Sequence, residues 1–223
     1  MDYELTGKPD YALVELSLEA GESVVAEPGA MVAMSANVQI KTEMKGGLLG
    51  GLKRKLAGEN FMTNTFTAEG APGTIKLAPS TPGDVEAIEL SGGTYFLQAG
   101  AYIAHVGDIE IDAKFGGAKS FFSGEGFILL KISGTGTLFI SSYGGLKKVH
   151  VDGEYIVDTT HIVAFPDTID YKVEAVGGLK ATFLSGEGLV CRYRGQGDIF
   201  IQTRSGPAFA GWVNPFRAVK KKN

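Results

Sequence analysis

The chain has 223 residues, of which 21% are charged, and its formal net charge at pH 7 is −4. A general nucleic-acid-binding protein carries a basic footprint, so this acidic balance predicts no DNA partner and argues against RNA. The single cysteine, Cys191, excludes an intramolecular disulfide and a cysteine-rich zinc site, and it predicts a reducing, cytoplasmic compartment. Segment 1–21 is acidic and lacks the pattern of a signal peptide, and no apolar run is long enough to predict a membrane-spanning helix.

Glycine is the compositional outlier, because 32 of the 223 residues are glycine, about twice the usual share of roughly 7%. The glycines stand between short runs of Val, Ile, Phe, Tyr and Thr, as turn residues stand between strands. Apolar residues alternate with period two more often than they recur with helical spacing. The sequence therefore predicts an all-β protein.

An internal repeat occurs three times along the chain. Its first block is an apolar run, a polar corner and an alternating run, and it is found at residues 30–40, 101–111 and 161–171. The middle alanines Ala33, Ala104 and Ala164 coincide when the blocks are laid over one another without a gap. A repeat of this length predicts that each copy is one small β-module packed against the next.

The second block of the repeat carries a Gly-Glu pair with the glutamates Glu59, Glu125 and Glu187. Three equivalent carboxylates could line a pocket, bind a cation or share protons. The alternative is a tight turn in which the glycine gives backbone freedom and the glutamate caps the corner. Repetition favours the turn, because a structural corner recurs whenever the module does.

The two blocks together define the predicted domain organisation. We predict three small β-sandwich or β-helix-like subdomains at residues 1–88, 89–149 and 150–205, in a pseudo-threefold arrangement. A C-terminal arm follows at residues 206–223, and its glycines and prolines predict an irregular conformation. We expect the arm to be an interface, because its exposed apolar residues include Phe209, Trp212 and Phe216.

The first copy carries an insertion at residues 46–58, rich in glycine and leucine and ending in a basic cluster. Copies two and three close the same corner without it, so the module itself does not require the insertion. We predict that it contacts a neighbouring subunit, an unknown protein partner or an anionic surface; the alternative is a loop that closes over the core. The candidate contact residues are Leu48, Leu49, Leu52, Lys53, Arg54 and Lys55.

The histidines and the cysteine do not predict a metal site or a nucleophile. His105 shares the strand parity of apolar neighbours and is predicted to be a core or interface residue, while His150 and His161 match no metal-binding spacing. Cys191 falls on a leucine position of the repeat, which is typical of a small buried hydrophobe. We therefore predict no cofactor and no enzymatic activity.

The segments 46–59 and 61–66, together with 122–126, 202–204 and 210–212, resemble a known family. It is a prokaryotic family of uncharacterised proteins, related to the fungal mitochondrial "altered inheritance of mitochondria" protein twenty-four. The resemblance covers nearly the whole chain. It implies three β-subdomains with a fold like that of the tryptophan RNA-binding attenuation protein, and three chains closing into a trimer. It implies no activity.

These observations predict a non-enzymatic structural or interaction protein that forms a ring-like homo-oligomer, with a trimer as the expected state. Each small β-module leaves sheet edges to be covered, and closure into a ring removes them. The alternative is a ring that binds a small ligand or RNA in the clefts between modules.

Overall fold

The computed structural model describes residues 1–44, 62–112, 129–175 and 189–217. The strands in these ranges are Asp2–Thr6 (β1), Leu13–Leu18 (β2), Ser23–Ala26 (β3), Met31–Met34 (β4), Val38–Met44 (β5), Met62–Ala68 (β6), Gly73–Leu77 (β7), Val85–Gln98 (β8), Tyr102–Asp112 (β9), Leu129–Ser141 (β10), Leu146–Asp158 (β11), Ile162–Pro166 (β12), Asp170–Ala175 (β13) and Leu189–Gln202 (β14). Single 3₁₀ turns lie at Ala99–Ala101, Thr159–His161 and Asn214–Phe216, and a short helix, α1, at Gly206–Val213. The predicted all-β class is confirmed.

The strands form two sheets. The smaller sheet has the order β1-β2-β7-β4, and the larger has the order β11-β14-β12-β8-β10-β9-β3-β6-β5, with β13 also paired to β14. The pairs that build both sheets are antiparallel. Because antiparallel sheets bury one face and leave the other in water, their strands show the period-two alternation seen in the sequence.

The strands divide in chain order into a first segment (β1–β7), a second segment (β8–β10) and a third segment (β11–β14). In the second segment β10 pairs with both β8 and β9, and in the third β14 pairs with β11, β12 and β13. In the first segment β6 pairs with β3 and β5, while β7 pairs with β2 and β4. The aligned alanines lie opposite residues of these last strands: Ala33 opposite Lys76, Ala104 opposite Phe139 and Ala164 opposite Phe200.

Two glycines allow strand β10 to lie against β9 at very short range. Gly134 and Gly136 have φ values of 130° and 151°. A Cβ on Gly134 would lie 2.0 Å from the carbonyl oxygen of Asp108, and one on Gly136 would lie 2.0 Å from that of Val106. Only glycine tolerates both the backbone conformation and the contact. These glycines therefore keep β10 in continuous register with β9 at this point.

The core of the described residues consists of three clusters of buried apolar side chains. The first cluster contains residues of both sheets, and the other two contain residues of the larger sheet. The largest buried side chains are aromatic or branched, and they include Phe66, Tyr102, Phe139, Phe165 and Tyr193. Cys191 is fully buried within the third cluster, and burial raises the pKa of its thiol to about 11. The prediction that this cysteine is a small buried hydrophobe is confirmed.

The C-terminal arm is not irregular throughout, because residues Gly206–Val213 form α1. The Ser205 side chain accepts a hydrogen bond from the Ala208 amide at 3.4 Å, and a proline lies in the first turn, where no amide donor is needed. Glycine and proline, which suggested a loop, are thus compatible with a short capped helix. No helix in the described ranges combines the length and apolar character that a membrane crossing requires.

Candidate interaction site

The site residues predicted from the sequence lie outside the described residues, namely Leu48, Leu49, Leu52, Lys53, Arg54, Lys55, Glu59, Glu125 and Glu187. Their places along the chain are nevertheless defined by the strands that flank them. Residues 45–61 connect β5 to β6, residues 113–128 connect β9 to β10, and residues 176–188 connect β13 to β14. In each case the two flanking strands are antiparallel neighbours. The three glutamates therefore occupy the same place in the strand order of their segments.

Strand β4 is an exposed apolar edge. It ends the smaller sheet and, in the described part of the chain, pairs with β7 alone. Its side chains Met31, Val32 and Met34 are exposed, Val32 to 56%. An edge strand presents unpaired N–H and C=O groups to which another strand can add. Apolar side chains and a free edge together make β4 a candidate docking strand.

The strands that the repeat places over β4 are buried. Residues Tyr102–His105 of β9 and Ile162–Phe165 of β12 are buried throughout. The end of β3 pairs with β9, and the end of β8 pairs with β12, so each has a strand on the side where β4 has none among the described residues. The exposure of β4 thus follows from its missing neighbour, since all three strands are apolar.

Strand β11 is the edge at the far end of the larger sheet, and in the described chain it pairs with β14 alone. Tyr155 and Ile156 near its end are exposed, Ile156 to 47%. Ile156 lies opposite Arg192 in the pairing register. The chain therefore presents a second apolar edge, in its third segment, besides the edge in its first.

A cluster of ion pairs covers the outer face of the sheet beside this edge. The Arg192 guanidinium contacts Glu174 through Nε at 2.7 Å and Glu154 through Nη1. Arg194 Nε lies 2.9 Å from Glu154, and Lys172 Nζ lies 2.8 Å from Glu174. Hydrogen bonds from Lys172 and then Arg192 lower the pKa of Glu174 to about 2. Paired charges therefore lie next to Ile156, which is opposite Arg192 in the register.

A polar group is buried where β3 pairs with β9. The Tyr102 hydroxyl donates a hydrogen bond to the carbonyl oxygen of Val25 at 3.1 Å, and its oxygen lies 2.8 Å from Nδ1 of His105. Burial, reinforced by the charge of Glu27, raises the pKa of Tyr102. Burial also raises the pKa of Glu27 to about 7. His105 is buried at this contact, so its prediction as a core or interface residue is confirmed.

The junction of β8 with β12 is filled by aromatic rings instead. Phe96 lies opposite Phe165 in the register, with ring centroids 5.3 Å apart. Phe165 also packs edge-on against Tyr171 at 4.9 Å and against Tyr193 at 5.0 Å. Aromatic contacts of this kind stabilise a packed junction beyond the area that they bury. The junction of β3 with β9 thus contains a buried polar contact, whereas the junction of β8 with β12 is filled by aromatic rings.

The C-terminal arm carries an exposed row of aromatic side chains. Tyr143 contacts Phe209, Phe209 contacts Trp212, and Trp212 contacts Phe216, with centroid separations of 6.0, 5.9 and 5.7 Å. Trp212 is 66% exposed, and Phe209 and Phe216 are also exposed. The prediction of an apolar, exposed tail is confirmed. Such a row is a candidate contact surface.

The described residues also form a shallow cleft of about 320 Å³ at the start of β8 and β11. Its lining combines acidic, basic and apolar side chains: Asp84, Glu86, Ala87, Leu146, Lys148 and Phe200. Within the described ranges no three His, Cys, Asp or Glu side chains are grouped to hold a metal ion. Because this mixed lining indicates no particular ligand, we take the exposed edges and not the cleft as the candidate interaction site.

Sequence reasoning missed the exposed edges β4 and β11. Met31, Val32 and Met34 were recognised as part of a repeat, but their apolar pattern is the same as that of the buried counterparts. Nor does the sequence single out Glu27, because an isolated glutamate before a turn carries no signal of the partial burial that it has in the fold. In both cases the decisive property is what covers the residue in three dimensions.

Comparison with known proteins places the chain in a family. The model of the family described as "Mitochondrial biogenesis AIM24" matches residues 3–204. An uncharacterised protein of Streptococcus pyogenes serotype M6 is 32% identical over 225 residues, covering 97% of this chain and 91% of the relative. The crystal structure of a Streptococcus pyogenes protein, a structural genomics target, matches with a TM-score of 0.80 at 31% identity, covering 97% of this chain and 99% of that one. The chain therefore belongs to the Mitochondrial biogenesis AIM24 family.

Proposed function

We propose that this protein is a non-enzymatic structural or interaction protein that assembles with copies of itself into a ring, with three chains as the expected number. The observation that carries the proposal is the exposure of β4, an apolar strand at a sheet edge. Stable single domains blunt or cover such edges, because an open apolar edge recruits other strands. A protein that keeps one exposed is suited to using it for assembly. The cytoplasm is the compartment we propose, in keeping with the lone buried cysteine.

The proposed subunit consists of three copies of one strand module in a pseudo-threefold arrangement. Support comes from the pairing scheme, in which β10 lies between β8 and β9 and β14 pairs with β11, β12 and β13. In the first segment the same role is divided between β6, which pairs with β3 and β5, and β7, which pairs with β2 and β4. The register also shifts beside Val32, Ile103 and Val163, which are equivalent positions of the three copies. A β-bulge kept at one position in each copy fits a duplicated module better than an accident of local sequence.

Module boundaries between β7 and β8 and between β10 and β11 keep every strand whole. The boundaries expected after residues 88 and 149 would cut β8 and β11. Boundaries within residues 78–84 and 142–145 instead assign β1–β7, β8–β10 and β11–β14 to the three modules. We propose these positions.

Light scattering on a size-exclusion peak tests the assembly. We expect a mass of about three times the 23.5 kDa of one chain at micromolar concentration. A single species of 23.5 kDa that persists at high concentration would refute the proposal. The alternative function is a ring that binds a small ligand or RNA in the clefts between modules. A thermal-shift screen with nucleotides, amino acids and metals tests it, because a ligand that binds the native state raises the melting temperature.

A further inference from the structure

The junctions between neighbouring segments follow one register. Where β3 meets β9, Val25 lies opposite His105 and Ala26 opposite Ala104. Where β8 meets β12, the corresponding pairs are Phe96 opposite Phe165 and Leu97 opposite Ala164. The repeat alignment places Ala104 over Ala164 and His105 over Phe165. The end of β3 therefore joins β9 in the same register as the end of β8 joins β12.

A third strand of each kind is present in the chain: β4 corresponds to β9 and β12, and β11 corresponds to β3 and β8. Among the described strands, neither β4 nor β11 has the neighbour that its counterparts have. Ala33 and Met34 of β4 correspond to Ala104 and His105, and among the described strands β4 pairs with β7 only. On the other side, β11 is the first strand of the third segment, and within the described ranges it pairs with β14 only. By this comparison of junctions, the described part of the chain carries one unfilled acceptor strand, β4, and one unfilled donor strand, β11.

The 3₁₀ turns identify the equivalent residues of β8 and β11. β8 ends at Gln98 directly before the turn Ala99–Ala101, and β11 ends at Asp158 directly before the turn Thr159–His161. In both, the last strand residue caps the turn by accepting a hydrogen bond from the amide two residues on. Counting back from the caps, Val157 is equivalent to Leu97, and Ile156 is equivalent to Phe96.

We infer that β11 of one copy pairs antiparallel with β4 of a second copy, with Val157 opposite Ala33 and Ile156 opposite Met34. This rests on the proposed function, and it identifies the surface by which the ring is built. The pairing would cover apolar side chains that are exposed in the single chain, including Val32 and Tyr155. Because donor and acceptor are different surfaces, the contact is head-to-tail and generates a closed ring or a filament.

Disulfide trapping tests the register. The double variant Met34→Cys/Ile156→Cys places cysteines at a predicted opposing pair, whereas Met31→Cys/Ile156→Cys moves one of them three residues along β4. Three residues of a strand span about 10 Å, beyond the reach of a disulfide. We expect mild oxidation to cross-link the first variant into covalent oligomers on a non-reducing gel and to leave the second unlinked. The wild-type chain is the background control, because Cys191 is buried.

A matched pair of substitutions tests the same contact without cysteines. Ile156→Lys places a charge in the proposed interface, while Ile40→Lys does so on strand β5, another sheet edge, where Ile40 is 49% exposed. Both side chains are exposed in the single chain, so neither change should prevent folding, which circular dichroism checks. We expect Ile156→Lys to shift the light-scattering mass toward 23.5 kDa and Ile40→Lys to leave the oligomer unchanged.

The outcomes separate this inference from the proposed function. An oligomer that cross-links only through the Met34 and Ile156 positions supports both. An oligomer that does not cross-link there, or that links instead through position 31, overturns the inference and leaves self-assembly standing. A wild-type protein that is monomeric at every concentration overturns both. Should Ile156→Lys fail to fold, the cross-linking result alone decides.

Discussion

The Tyr102 hydroxyl oxygen lies 2.8 Å from Nδ1 of His105, with both side chains buried where β9 pairs with β3. The equivalent residues at the junction of β12 with β8 are Ile162 and Phe165, which cannot form this contact. The polar pair therefore distinguishes the first junction from the second. A substitution that removes only the hydroxyl group should therefore destabilise the first junction even though its apolar packing is kept.

Replacing Tyr102 with phenylalanine should destabilise the protein. The variant loses the contact with His105 and the bond to the Val25 carbonyl while keeping the ring. Loss of a buried hydrogen bond of this kind costs about 1 to 2 kcal/mol. Urea denaturation at fixed protein concentration measures the loss, with Tyr11→Phe at an exposed position as control. Equal stabilities of the two variants would contradict the prediction.

Glu27 should make stability fall as the pH rises from about 5 to 7. Burial raises the folded-state pKa of its carboxyl from 4.5 to about 7, so in this window the native state binds more protons than the unfolded state. The free energy of unfolding therefore decreases with rising pH and levels off above the folded pKa. Glu27→Gln removes this contribution, and the other titratable groups are common to both proteins.

The measurement for Glu27 is the difference in unfolding free energy between Glu27→Gln and the wild type across this pH range. We expect the variant to gain relative to the wild type as the pH increases. A difference that is constant with pH would show that the folded-state pKa of Glu27 is not raised.

Gly134→Ala should cost far more stability than Gly153→Ala. Both glycines have positive φ values, 130° and 93°, so both variants bear backbone strain. Only at Gly134 would the new methyl group overlap a carbonyl oxygen, that of Asp108, whereas nothing lies within 4 Å of a Cβ at Gly153. We expect an additional loss of about 1 to 3 kcal/mol, the typical cost of forced overpacking. Chemical denaturation of the two variants side by side gives the difference, and similar midpoints would refute the close approach of β10 to β9.

Shortening residues 46–55 to the length of the second copy should leave the oligomer intact and abolish binding to anionic vesicles. The reason is that we propose the strand edges as the assembly surface, whereas the basic cluster suits a negatively charged surface. Light scattering and vesicle co-sedimentation measure the two properties. Neutralising Lys53, Arg54 and Lys55 with glutamine should reproduce the vesicle result. Loss of the oligomer would assign the segment to assembly instead, and unchanged binding would leave it without this role.

The sequence predicts the fold class well because alternation and turn residues are local signals. Ala33, Ala104 and Ala164 could be aligned from the sequence alone, and they lie at corresponding steps of the strand pairing. The exposed edges could not be predicted, since Val32 and Val163 are the same residue type and differ only in what covers them. The helix at Gly206–Val213 was missed because its glycines and proline also suit a loop.

The paired charges beside Ile156 have a consequence for aggregation. The apolar strands β4 and β11 are edges of the described sheets, and uncontrolled pairing of such edges leads to amyloid-like deposits. Arg192, Glu154 and Glu174 place matched charges beside Ile156, on the side of β11 that pairs with β14. Charges near an edge strand discourage non-specific strand addition, so we expect that removing the cluster makes the protein more prone to aggregate.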